Sequence, residues 1–144
     1  MAANTNPIFP ITPKVEWGKL TTANIAKDGT GTVVTLFTAG ANGARIDQIK
    51  VRALGTNVAT VLRLFINNGS TNTTATNNSL VHEVTIAATT LHETAALTDN
   101  DITIAKGSDV LSPIPFLPAG YKIQATIGTT IAAGIQVTVS GGDY

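Results

Sequence analysis

Two segments near the C-terminus place an apolar residue at every second position. In YKIQATI, every second residue from Tyr121 to Ile127 is apolar or aromatic, and in TIAAGIQVTVS the same holds from Ile131 to Val139. Successive side chains of a β-strand point to opposite faces, so this pattern predicts two strands that each bury one face. A chain that contains such strands has to bury them in a sheet, and this constrains its fold more than any other feature.

The composition extends this prediction to the whole chain. Threonine occupies 24 of the 144 positions and asparagine 11, whereas only 12% of residues are charged. Threonine and the branched aliphatic residues favour strands, and asparagine and glycine favour turns. We therefore predict an all-β protein.

Further strand candidates follow one another at regular spacing. They are KVEWGKL (14–20), GTVVTLFTA (31–39), ARIDQIKVRAL (44–54), TNVATVLRLFINN (56–68), SLVHEVTIA (79–87) and DITIA (101–105). Both faces of TNVATVLRLFINN are largely apolar, which predicts an inner strand covered in part on both sides. ATTLHETAALTDN (88–100) is expected to be a loop with at most one helical turn. SPIPFLPAG (112–120) contains three prolines and is expected to be irregular, with Ile114, Phe116 and Leu117 capping the open end of the core.

Three hairpins are predicted from the turn residues. The first joins the strand before GANG (40–43) to the strand after it, and the others lie within KVRALGTNVATVLRLF and KIQATIGTTIAAGIQVTV. Ile46 is out of phase with Ile49 and Val51, which indicates a β-bulge near Asp47-Gln48.

About eight strands without a confident helix predict an antiparallel two-sheet β-sandwich. A jelly roll is the first expectation and an immunoglobulin-like sandwich the second. A chain of 144 residues forms one domain of this kind, expected here over residues 14–144. The absence of cysteine fits synthesis in a reducing cytoplasm.

Residues 1–13 are predicted to form an extended N-terminal arm. Three prolines at intervals of three fix an extended backbone, and three large apolar residues lie among them. A free tail has little use for these residues, so the arm is a candidate partner-binding segment; the alternative is a disordered terminus. The candidate residues are Pro7, Ile8, Phe9, Pro10, Ile11 and Pro13.

The uncharged tract NNGSTNTTATNNS (67–79) is a second candidate interface. It is longer than an ordinary hairpin connection, and asparagine and threonine side chains can order a loop through local hydrogen bonds. Its three glycosylation sequons carry no weight, because the N-terminus lacks the pattern of a signal peptide. We therefore expect an ordered, exposed loop that hydrogen-bonds a neighbouring subunit. The candidate residues are Asn67, Asn68, Asn72, Thr73, Thr74, Asn77 and Asn78.

Catalytic and metal-binding motifs are missing. His82-Glu83 and His92-Glu93 do not form HExxH, and there is neither a G-x-S-x-G elbow nor a P-loop. The run Asp99-Asn100-Asp101 is better explained by turn formation than by calcium binding. We expect a protein that is not an enzyme and has no cofactor and no metal.

The charge pattern also narrows the classes of partner. Nine basic and nine acidic residues balance and the basic ones are scattered, so nucleic-acid binding is not expected. No apolar run reaches the length needed to span a bilayer, so a membrane partner is not expected either. Sugar binding would rest on few aromatic residues, of which Trp17, Tyr121 and Tyr144 are the freer ones.

The segments LGTNVATVLRLFINNGSTNTTATNNSLVHEV and LPAGYKIQATIGTTIAAGIQVTVSGGDY resemble small jelly-roll head-decoration, or cement, proteins of tailed phages. The resemblance spans roughly residues 19–144 and includes LPAGYK and GGDY, but no catalytic signature. It implies a viral structural protein that binds the outer surface of an assembled capsid and bridges neighbouring major capsid subunits. The implied partners are the major capsid protein and further copies of the chain, as a homodimer or homotrimer. The implied location is the outer surface of the capsid in the virion, after synthesis in the host cytoplasm.

A carbohydrate- or receptor-binding module of a phage tail or fibre is the alternative expectation. It differs from the first in predicting glycan binding that depends on Trp17 or Tyr121.

Overall fold

The computed structural model describes residues 9–97, 99–102 and 116–144, and the side chains among them except those of 99–102. Nine strands and one short 3-10 turn (Ala75–Asn77) are present in this part of the chain. The strands are β1 (Thr12–Leu20), β2 (Val34–Thr38), β3 (Ala44–Ala53), β4 (Thr60–Asn67), β5 (Asn78–Ile86), β6 (Asp99–Ile102), β7 (Phe116–Leu117), β8 (Lys122–Ile127) and β9 (Ile135–Asp143).

The strands form two antiparallel sheets, which confirms the predicted all-β sandwich. Sheet 1 has the order β1–β9–β3–β6, with the two-residue β7 also paired to β3, and sheet 2 has the order β2–β8–β4–β5. The pairs are nested along the chain: β1 with β9, β2 with β8, β3 with β6 and β7, and β4 with β5. Among the strands of the described residues, only β4 and β5, joined by the polar tract, are consecutive in sequence and paired in one sheet.

All three predicted hairpins are therefore wrong. The GANG turn leads from β2 in sheet 2 to β3 in sheet 1, and the connections β3–β4 and β8–β9 also pass from one sheet to the other. Turn residues mark where the chain reverses, but a reversal within a sheet and one between two sheets use the same residue types. The local sequence does not distinguish them.

The core lies between the sheets and comes from the alternating residues. Ile135, Val137 and Val139 of β9 meet Ile123 and Ile127 of β8 there, all of them fully buried. β4 is an inner strand, as predicted, between β8 and β5. Its Phe65 is also fully buried although it lies outside the main core cluster, so both faces of β4 are covered.

The predicted bulge is confirmed. The register between β3 and β9 shifts between Ile46 and Gln48. Opposite the bulge stands Gly141, where a Cβ atom would lie 2.0 Å from the carbonyl oxygen of Arg45. Such a contact does not occur in real structures, so the close approach of the two backbones requires glycine at this position.

The proline-rich segment before β8 differs in part from the expectation. Phe116 and Leu117 form β7 against Ala44 and Arg45, so the segment is not wholly irregular. Leu117 is buried as predicted, but Phe116 is 65% exposed because its partner Arg45 lies on the outer face of the sheet. Phe116 therefore does not cap the core, and Ile114 lies outside the described residues. Residues 88–97, where one helical turn was allowed, contain none.

The first strand reverses the usual distribution of side chains. Val15 and Trp17 of β1 are exposed on the outer face, whereas the charged Lys14 and Glu16 point toward β2. Glu16 accepts a hydrogen bond of 2.8 Å from the Thr38 N–H, and the Lys14 ammonium donates to the Thr38 carbonyl oxygen. These side chains cap the free edge of β2, and inward charges of this kind protect sheet edges against unwanted pairing.

Candidate functional site

The described residues of the predicted arm lie along the C-terminal end of β9. The Ile11 N–H donates to the Asp143 carbonyl oxygen over 2.8 Å, and Pro10 lies against Gly142. Phe9 and Ile11 remain exposed. Pro13 belongs to β1, which begins at Thr12, and its position at a sheet edge suits a residue without an N–H group. Pro7 and Ile8 lie outside the described residues.

A series of short contacts leads from the arm across the end of the sandwich. The Tyr144 N–H donates to the Gly43 carbonyl over 3.1 Å, and the side-chain amide of Asn42 donates to the Tyr144 carbonyl over 3.2 Å. The Gly120 N–H donates to the Gly40 carbonyl over 3.3 Å. The loops 39–43 and 118–121 are thereby joined to the C-terminus.

The polar tract completes this end. A Cβ atom added to Gly69 would lie 2.9 Å from the carbonyl oxygen of Gly120, so the tract is in contact with the loop 118–121. We call the surface formed by residues 9–12, 39–43, 68–77, 118–121 and Tyr144 the arm end. The structure thus brings the two interface candidates, which are more than fifty residues apart in sequence, to one end of the molecule.

The tract is an ordered loop, as predicted, held by its own side chains. β4 and β5 extend to Asn67 and Asn78, so the connection comprises residues 68–77. The Asn67 amide donates to Asn78 Oδ1 over 2.8 Å, and the Asn77 amide donates to the Thr71 carbonyl over 2.9 Å. The Gly69 N–H donates to Asn67 Oδ1 over 2.9 Å, which is an Asx turn.

The tract is also fastened to the connection between β1 and β2. The Asn72 amide donates to the carbonyl oxygens of Gly29 and Gly31 over 3.2 and 2.9 Å, and the Asn78 amide donates to that of Asp28 over 3.2 Å. These amides are used within the chain, so Asn67, Asn72, Asn77 and Asn78 shape the loop. Asn68, Thr73 and Thr74 are its exposed candidate residues. The Asn68 amide also donates to Asn77 Oδ1 over 3.2 Å, and Asn68 Oδ1 accepts from the Ser70 N–H, so the two threonines are the candidates best placed to face a partner.

Beside the arm, the outer face of sheet 1 has an apolar border. A groove of about 300 Å³ is lined by Phe9, Pro10, Pro13, Arg45, Asp47, Gly141 and Gly142. Arg45 Nε lies 2.9 Å from Asp47 Oδ1, and this exposed pair cancels its own charge. Phe116 stands opposite Arg45 in the same row of the sheet. The sequence predicted that Phe116 caps the core, because the residues around it do not indicate which side of its partner strand β3 faces outward.

Among the described residues, no group of three or more potential metal ligands occurs. The Thr30 hydroxyl and N–H donate to Asp28 Oδ1 over 2.7 and 3.0 Å, and these hydrogen bonds lower the pKa of this exposed carboxyl below its ordinary value. The side chains of Asp99 and Asp101 lie outside the described part.

One crevice contains a buried polar atom without a partner. It measures about 210 Å³ between the end of β1 and the start of β2, and Thr126, whose hydroxyl has no hydrogen-bond partner among the described residues, lines it. This volume is below the range of about 300–1,000 Å³ that ligand pockets usually occupy, but it has room for water.

The three aromatic residues expected to be free differ in exposure. Trp17 is 65% exposed on the outer face of β1, whereas Tyr121 packs against the core and Tyr144 is half-buried in the arm end.

Within the part of the chain that the structure describes, no helix has the length and apolar character needed to cross a bilayer. Comparison with protein-family models, with curated proteins and with solved structures gave no match to this chain.

Proposed function

We propose that this protein is a non-enzymatic structural protein of a tailed phage that binds the outer surface of the assembled capsid and stabilises it by bridging neighbouring major capsid subunits. It attaches through the arm end. The proposal rests on one observation: an exposed apolar arm and an ordered polar loop lie together at one end of the sandwich.

The strand order supports the jelly-roll part of this proposal. A jelly roll is two four-stranded sheets made from two Greek keys, in which a long antiparallel pair of strands is folded over itself. The nested pairs from β1–β9 inward to β4–β5 follow that scheme. The resemblance of the two long sequence segments to head-decoration proteins points to the same architecture.

The chemistry of the arm end suits a protein partner. Phe9 and Ile11 are 68% and 81% exposed, and aromatic and aliphatic anchors of this kind dominate the affinity of protein interfaces. The neighbouring loops contribute backbone groups and threonine hydroxyls, which can form the polar rim. A net charge of zero adds no long-range repulsion when many copies, as dimers or trimers, occupy one shell.

Binding to heads tests the proposal. Full-length protein is mixed with mature phage heads from its source, and the bound fraction is measured by sedimentation and by mass spectrometry of purified particles. We expect saturable binding at many copies per head, weakened at least about tenfold by the double change Phe9→Asp/Ile11→Asp.

The matched control is Val58→Asp, since Val58 is similarly exposed but lies in the β3–β4 connection at the opposite end. It should bind like the wild type. Absence of the protein from purified heads, or equal binding of the arm variant and the control, would overturn the proposal.

A further inference from the structure

The outer face of sheet 1 holds a row of side chains that the arm end does not use. Trp17 of β1 stands directly opposite Thr138 of β9, which in turn stands opposite Lys50 of β3. The flanking rows place Ser140 and Gln136 of β9 on either side of Thr138. Same-face residues of one strand are about 7 Å apart and neighbouring strands about 4.8 Å, so these groups form a flat platform.

Four uncharged polar side chains of β3 and β9 lie on this platform beside Trp17. Gln48, Gln136, Thr138 and Ser140 form no side-chain hydrogen bond within the described residues. They are uncharged and offer both donors and acceptors beside an exposed indole ring. Lys50 and Arg52, which do have interactions, border the platform on the far side.

A groove extends the platform on the other side of Trp17. It measures about 410 Å³ between the edges of β1 and β2 and is lined by Val15, Glu16, Trp17, Thr35, Leu36 and Thr38. Its volume falls within the range of small-molecule sites. An additional β-strand is a poor occupant, because Pro13 lacks an N–H group and the Lys14 and Glu16 side chains already cap Thr38.

We propose that this surface, centred on Trp17, is an oligosaccharide-binding site that is separate from the arm end. The apolar face of a sugar ring stacks on the indole, and its hydroxyl groups pair with the amides and hydroxyls of β9 and β3. An apolar protein surface would leave those four polar side chains desolvated without partners, which is costly. A hydroxyl-rich ligand satisfies them.

This site does not depend on the proposed capsid function. Trp17 lies on the side of the sandwich about five residues along β1 from the arm end, so a molecule attached by that end keeps the platform accessible. The alternative expected from the sequence named Trp17 or Tyr121 as the sugar-binding residue. The structure favours Trp17, because Tyr121 packs against the core.

The single tryptophan supplies a direct measurement. Because Trp17 is the only one in the chain, its fluorescence reports on this site alone. The full-length protein is applied to an array of bacterial surface polysaccharides and titrated with maltohexaose, cellohexaose and chitohexaose. We expect at least one of these probes to shift the emission to the blue and to protect Trp17 from acrylamide, with a Kd of about 0.1–5 mM.

Three variants distinguish the outcomes. Trp17→Ala should abolish binding on the array, and Gln136→Ala should weaken it several-fold while leaving the fluorescence of the free protein unchanged. Thr73→Ala, in the exposed tract, is the control and should bind normally. No array signal together with unchanged Trp17 fluorescence overturns the site. If Trp17→Ala loses binding to phage heads, this face belongs to the protein interface and the sugar site is overturned. If Phe9→Asp/Ile11→Asp binds heads normally, the arm-end proposal fails, but the sugar-binding measurements stand unchanged.

Discussion

The outer faces of the two sheets differ although each sheet contains a row of four paired strands. On sheet 2, the connection between β1 and β2 crosses the face: the Asn24 N–H donates to the Ile127 carbonyl over 2.8 Å, and Arg63 reaches the Asn24 carbonyl over 3.4 Å. Phe65, Gln124 and Thr126 are buried on this side. Within residues 9–97, 99–102 and 116–144, no segment covers Trp17 on sheet 1 in this way, and its side chain is 65% exposed. The described part of the chain therefore covers the outer face of sheet 2 with its own loop, which we call the covering loop (residues 21–33), and leaves Trp17 on sheet 1 exposed.

The largest expected effect compares an aromatic residue from each face. Phe65→Ala should lower the free energy of unfolding by about 3–5 kcal/mol, because it leaves a cavity under the covering loop. Trp17→Ala should change it by no more than about 0.5 kcal/mol, as for most exposed positions. Urea unfolding followed by far-UV circular dichroism measures both, since the tryptophan signal is lost in one variant. Similar losses of unfolding free energy in the two variants would show that the outer faces of the two sheets are equally covered.

The two arginine–carboxylate pairs provide the next comparison. Arg63 Nε lies 2.7 Å from Glu83 Oε1 with its side chain 11% exposed, whereas Arg45 is 45% exposed in its pair with Asp47. Arg63→Ala should cost about 1–3 kcal/mol and Arg45→Ala about 0–1 kcal/mol, because water screens the exposed pair. The free energy of unfolding of both variants is measured in low and in high salt. If Arg45→Ala proves as destabilising as Arg63→Ala, the expected difference between the buried and the exposed pair is contradicted.

A smaller effect is expected where the polar tract joins the covering loop. Asn78 donates to the carbonyls of Asp28 and Asn72 and accepts from Asn67, so Asn78→Ala should cost about 1–2 kcal/mol. The exposed Thr73 bonds only to Thr71, and Thr73→Ala should cost less than about 0.5 kcal/mol. Hydrogen exchange of the amides of residues 28–31 should accelerate in the first variant alone. Unchanged exchange would mean that the tract does not fasten the covering loop.

The smallest effect concerns the pH dependence of the covering loop. Hydrogen bonds from Thr30 lower the pKa of Asp28 in the folded chain. A depressed carboxyl pKa stabilises the fold above the unfolded value, near pH 4, and that contribution disappears as the pH falls through the lower folded value. NMR titration should show the Asp28 pKa returning toward its ordinary value in Thr30→Ala, with Thr32→Ala as the control. An unshifted Asp28 in the wild type would contradict the assignment.

Most strands could be predicted from the sequence, and the candidate interfaces in part. The alternation in 121–127 and the out-of-phase Ile46 gave a correct strand and a correct bulge, because both patterns come from the two-residue repeat of one strand. The alternation in 131–139 was correct from Ile135 onward, whereas residues 131–134 form a turn before β9. The Asx turns of the tract were also expected from its composition. Phe116 was misplaced and the three hairpins were wrong, because each depends on which strand lies alongside. That information is distributed over residues distant in the chain.

The sequence by itself determined that this chain is all-β, where most of its strands lie, and that its long polar tract forms an ordered loop. These are local properties of side-chain alternation and turn chemistry. Only the tertiary structure decided that the strands pair in nested order across two sheets, that the arm and the tract share one end, and that Trp17 faces outward beside unpartnered polar groups. In β1 the period of two holds, but its apolar side faces outward, because the capping of Thr38 by Lys14 and Glu16 fixes which side of the strand turns inward.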